Sequence, residues 1–98
     1  MKNFEERLKD FLIGQEIVEN LWLKSVEEAR EEMEDDWDLF ETAKNIFQDL
    51  LIEHTYDWIV ENIQEEIAKE FLTEAVNDTD FENIINAIIT EKHLWEEV

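Results

Sequence analysis

The stretch "LFETAKNIFQDLL", residues 39–51, decides the fold. Its apolar side chains are Leu39, Phe40, Ala43, Ile46, Phe47, Leu50 and Leu51. They recur at intervals of three and four, the period of one face of an α-helix and not the alternation of a strand. Working outward, the same period continues in both directions. Upstream, Ile17, Val18, Leu21, Trp22, Val26, Ala29 and Met33 stripe a helix predicted over about 15–33. Before it, Phe4, Leu8, Phe11 and Leu12 share a face. Downstream, Ile59, Val60, Ile63, Ile67, Phe71 and Ala75 follow at helical spacing, and then Phe81, Ile84, Ile85, Ile88, Ile89 and Trp95.

Boundary residues agree with this period. Asn3 with Glu6 makes a capping box for the first helix, and Gly14 stands where a helix-ending residue belongs. One of Asp35, Asp36 and Asp38 starts the third helix, with Asp38 and Glu41 fitting a second capping box. Thr55 offers a cap for a break at 54–55, where an uninterrupted helix is equally open. "NDTD", residues 77–80, reads as a turn, with Thr79 and Glu82 capping the last helix. The chain has one Gly and no Pro. The expectation is an all-α protein: a compact bundle of four to five short amphipathic helices forming one acidic domain over 1–98.

Composition limits the function. The net charge is −20, from 28 acidic and 8 basic residues. A surface of that sign repels nucleic acid and anionic lipid and attracts cationic partners. Eleven Ile and seven Asn suggest an AT-rich genome, in which Lys is usually common, yet only six Lys occur. Hydrophobic residues make up 44%, too many for charge-driven disorder. The lack of Cys excludes disulfides and thiolate metal sites. No apolar run approaches the roughly 20 residues of a membrane span, and the start has no signal-peptide apolar region. The expected location is the cytoplasm, a host's if the protein is phage-encoded.

The acids fall in rows. Glu53, Asp57, Glu61 and Glu65 are four apart, as are Glu66, Glu70, Glu74 and Asp78. Glu27, Glu31 and Asp35 repeat the spacing beside Glu28, Glu32 and Asp36. Four helical residues advance about 6 Å, so each row is a winding ridge of negative charge. If every such segment is helical, acid–acid pairs at i,i+4 outnumber opposite-charge pairs by eight, which costs on the order of 2–4 kcal/mol at low salt. A charge run on a helix is most often a solvated face, and high acid with low Lys also marks halophiles. A penalty of this size in a domain stable by only about 5–15 kcal/mol points instead to a use for the charge.

Catalytic and metal-binding signals are missing. His54 and His93 read as surface or helix-end residues. Neither has a Glu three residues before it, as a di-iron bundle requires, or a recognisable Ser or Cys partner. "DTDFEN", 78–83, has Asn83 where a calcium loop needs Gly, and Ile89 where it needs Glu. One Gly cannot build a phosphate-binding loop. The expectation is no enzyme, no cofactor, no metal site and no catalytic residue. Of the four Trp, Trp22 and Trp58 belong with the core stripes. Trp37, between Asp36 and Asp38, reads either as a helix-start packing residue or as an aromatic anchor in an acidic rim.

In length, charge and acid rows, the chain resembles the small, acidic, helical DNA-mimic proteins that phages and mobile elements direct against restriction and CRISPR systems. The resemblance covers the whole chain and rests on character, without a diagnostic motif. It implies a non-enzymatic inhibitor that occupies the basic DNA- or RNA-binding groove of a CRISPR effector, restriction enzyme or nuclease. Such a protein contacts neither nucleic acid nor membrane itself. The residues expected to bind the partner are Glu27, Glu28, Glu31, Glu32, Glu34, Asp35, Asp36, Trp37 and Asp38, followed by Glu61, Glu65, Glu66, Glu70 and Glu74. The alternative is a helical interaction protein or homo-oligomeric scaffold formed through Trp37 and the apolar stripes, whose charge confers only solubility; Trp95 is a separate candidate for a homodimer contact.

Overall fold

A computed structural model describes residues 3–32 and 39–94. The element order is α1 (Phe4–Ile13), α2 (Ile17–Glu32), α3 (Leu39–Asn62), α4 (Glu66–Asn77) and α5 (Phe81–Lys92). Described residues outside the helices form only turns and short connections, so the all-α bundle is as expected. Met33 and Trp95, assigned to apolar stripes, lie outside the described residues, as do the candidate caps Asp35, Asp36 and Asp38.

α1 begins as its cap predicts: the Asn3 side-chain oxygen accepts from the Glu6 N–H at 2.9 Å. It ends at Gly14, whose N–H donates to the Asp10 carbonyl, while the Gln15 N–H donates to the Leu12 carbonyl. Gly14 sits at φ −75°, in the right-handed region, so the left-handed freedom of glycine is not used there.

α3 is the spine. Its 24 residues span about 36 Å, against a longest molecular dimension of 46 Å. One side chain in four is buried: Leu39, Ala43, Phe47, Leu51, Thr55 and Ile59. Four residues turn the helix about 40° past a full circle, so this buried row winds around α3. Near the start of α3, Trp22 of α2 packs edge-on against Phe47 and Phe40, at ring distances of 5.3 and 6.0 Å. Farther along, Thr55, Trp58 and Ile59 line an apolar groove together with Phe4, Leu8 and Phe11 of α1 and Leu72 and Val76 of α4, and Phe11 packs edge-on against Trp58. α5 packs on α1 and α3 and places Ile84, Ile85, Ile88 and Ile89 in the core. The Trp22 indole N–H donates to the Leu94 carbonyl at 3.0 Å, tying the end of α5 to α2. Lys9–Glu91 at 3.4 Å and Lys92–Glu19 at 3.2 Å link α5 to α1 and α2 at the surface.

One choice left open by the sequence closes and two expectations change. There is no break at 54–55. The Thr55 hydroxyl is buried and donates to the Leu51 carbonyl, so the residue sits inside the helix without capping it. The break falls at 63–65, where the Asn62 side-chain amide donates to the Trp58 carbonyl and Glu65 is extended at φ −80°, ψ 124°. An unbroken helix from 39 to 77 would run about 58 Å and carry Leu72 and Val76 away from the core. Turning at 63–65 returns them to it. At the last turn the cap is Asp80, not Thr79: the Asp80 carboxylate accepts from the Glu82 N–H, while the Thr79 hydroxyl donates to the Ala75 carbonyl. Finally, His93 ends α5 in the left-handed conformation, as a helix-end residue. His54 instead lies mid-helix and half-buried, with Nε2 lacking a hydrogen-bond partner.

Candidate partner-binding surface

The core row of α3 dictates where its acids go. Two residues beyond each buried position lie Glu41, Asn45, Asp49, Glu53, Asp57 and Glu61, and all six are exposed. Two residues turn a helix about 200°, so this row stays opposite the buried one along the whole of α3. It forms a track about 30 Å long that winds right-handedly over the surface. Sequence reading found only the Glu53–Asp57–Glu61 part. Asn45 interrupts the charge and hides the continuity back through Asp49 to Glu41. The signal that recovers it is the constant offset of two from Leu39, Ala43, Phe47 and Leu51.

Glu65, counted as the next member of this row, is not on α3. It is the N-cap residue of α4, with no side-chain capping bond. The second row survives as Glu66, Glu70 and Glu74 on α4, all exposed, and stops at Asp78, which caps the helix end. On α2, Glu27, Glu31 and Glu32 are exposed, while Glu28 is half-buried. Glu34, Asp35, Asp36, Trp37 and Asp38 lie outside the described residues. Of the expected partner-binding acids, the described ones fall as Glu27, Glu28, Glu31 and Glu32 on α2, Glu61 on α3 and Glu66, Glu70 and Glu74 on α4, with Glu65 between α3 and α4. The longest acidic file, on α3, includes only Glu61 of them.

Most of these acids take part in no ion pair. The described ion pairs use Lys9, Lys44, Lys69 and Lys92 on Asp10, Glu91, Glu41, Glu66 and Glu19. Among the described residues, Glu27, Glu31, Glu32, Asp49, Glu53, Asp57, Glu61, Glu65, Glu70 and Glu74 form no ion pair. The few cations thus brace helices and leave the middle of the α3 track un-neutralised. Among the described residues, no three His, Asp or Glu side chains converge as metal ligands would. No described helix is long and apolar enough to cross a membrane.

Apolar residues depart from the sequence reading most at one corner, although Ile17 and Phe40 of the predicted stripes are exposed as well. Val60, Ile67 and Phe71 continue the helical stripe but are 65%, 60% and 68% exposed. Trp22 is fully buried, and Trp58 is half-buried edge-on against Phe11 at 4.9 Å.

A scan against family models found no match, and searches of curated proteins and of solved structures found no similar protein.

Proposed function

We propose that this protein is a non-enzymatic inhibitor that imitates the charge of a nucleic-acid strand. It occupies a basic DNA- or RNA-binding groove on a partner such as a CRISPR effector, restriction enzyme or nuclease. The observation carrying this reading is the α3 track: exposed carboxylates at regular helical steps, diametrically opposite the core and largely without cations. Each four-residue step rises about 6 Å and turns about 40°, giving a right-handed track with a pitch of about 54 Å. A DNA strand is also a right-handed file of anions, with a turn every 34–36 Å or so. The two files share sign, hand and order of spacing, and the protein track is the more slowly wound. Lys and Arg of a groove that neutralise phosphates can meet the carboxylates of this track, releasing counterions from both surfaces and steering encounter.

The experiment is displacement. A labelled duplex bound to a purified restriction or CRISPR complex is titrated with the protein at low salt. Release of the duplex by the wild type, and weaker release by the Glu53→Gln, Asp57→Asn, Glu61→Gln triple variant, is the expected result. The homo-oligomeric scaffold is the second reading, favoured by the exposed Val60, Ile67 and Phe71. Sedimentation equilibrium separates the two, because the scaffold must self-associate and the inhibitor need not.

A further inference from the structure

α4 carries two ridges side by side. Glu66, Glu70 and Glu74 form one, and Ile67 and Phe71, each one residue farther on, lie about 100° around the helix. Phe71 and Ile67 are the most exposed large apolar side chains of α4. Beyond them around the helix come the small Ala68 and Ala75 and then Leu72. Leu72 lines an apolar groove of about 300 Å³ with Phe4, Phe11 and Trp58. On the other flank of the acidic ridge, exposed Val60 sits with Glu70 and Glu74 around an open groove of about 340 Å³. Single exposed apolar residues are ordinary, but an apolar ridge bordered by carboxylates and adjoining an apolar groove is the make-up of a binding patch.

Charge selects the occupant. A second copy would bring another −20 and, across a two-fold contact, set one glutamate ridge near the other. We infer that the α3–α4 corner docks an amphipathic helical segment of a partner protein bearing Lys and Arg. Ile67 and Phe71 anchor its apolar face, and Glu70 and Glu74, which form no ion pair, meet its cations, while Glu66 is held by Lys69 at 3.8 Å. This rests on the inhibitor reading only for the basic character of the partner, and deepens it. A contact made by charge alone is shared by every basic groove and fades with salt, whereas buried apolar anchors persist in salt and add selectivity.

The test uses two synthetic peptides of equal length and charge: a helical Leu/Lys peptide with one apolar face, and a Gln/Lys peptide without it. Fluorescence anisotropy at physiological salt should show the amphipathic peptide binding at least about tenfold tighter. The Ile67→Ser, Phe71→Ser double variant should lose that margin while keeping its melting temperature and its weak binding to the Gln/Lys peptide. Equal affinity for the two peptides, or an unchanged margin in the double variant, overturns the inference. So does a wild-type dimer that the double variant lacks, since a second copy would then own the corner. Duplex displacement is read separately with the α3 variants. A wild-type protein that displaces no duplex yet binds the amphipathic peptide through Phe71 removes the inhibitor reading alone, and one that displaces duplex but shows no Phe71-dependent peptide binding removes the docking corner alone.

Discussion

At the scale of single residues, the helices start and stop through local hydrogen bonds, and two positions make sharp predictions. Gly14 holds a conformation open to any residue, and an added Cβ would meet the Phe11 carbonyl oxygen at 3.5 Å, an ordinary contact. Gly14→Ala should therefore stabilise the fold by about 0.4–1 kcal/mol by restricting the unfolded chain, read as a higher melting temperature. Phe47 is fully buried against the Trp22 ring. Phe47→Ala should cost about 3–5 kcal/mol in denaturant unfolding, as the loss of a buried aromatic does. The caps divided into legible and illegible ones for a physical reason. Asn3 was legible because no neighbour competes for its place. Asp80 was not, because Thr79 beside it is equally suited by type, and only the geometry of the turn sends the Thr79 hydroxyl back to the Ala75 carbonyl.

At the scale of elements, α3 sets core and charge at once: a buried row every fourth residue fixes an exposed row two positions on. The helices and most of their buried faces were legible because 3.6-residue periodicity survives any tertiary arrangement. The break at 63–65 was not. Ile59, Ile63 and Ile67 keep helical spacing straight through it, and what ends α3 is the need to bring Leu72 and Val76 back to the core. The same turn left Ile67 and Phe71 outside, where the pattern alone put them inside. It also revises the repulsion. Within the described helices, Asp49–Glu53, Glu53–Asp57 and Asp57–Glu61 remain paired, while Glu61–Glu65 and Glu74–Asp78 span helix ends. Neutralising Glu53, Asp57 and Glu61 together should thus stabilise the protein by about 0.6–1.5 kcal/mol at low salt, read by thermal unfolding, while weakening partner binding. A gain in stability with a loss of function separates a working charge from a merely solvated face.

At the scale of the whole molecule, an uneven charge surrounds a continuous core drawn from all five helices. The acid pairs on α1, α2, α3 and α4 outnumber the opposite pairs Glu5–Lys9 and Lys24–Glu28 by six, a net repulsion of roughly 1–3 kcal/mol at low salt. Raising monovalent salt from a few millimolar to about 0.15 M contracts the screening length to about 8 Å and should raise the melting temperature. A flat or falling melting temperature would mean that the ridges do not repel. The α3 track could be drawn from sequence only in part, since a row becomes a surface only when the opposite side of its helix is known to be buried. The central claim is that this track displaces nucleic acid from a basic groove, and the most direct measurement is duplex release from a purified restriction or CRISPR complex at low salt. The account predicts release that saturates near one protein per groove and weakens markedly for the Glu53→Gln, Asp57→Asn, Glu61→Gln variant. Full retention of the duplex across such complexes, or equal release by the folded triple variant, would contradict it.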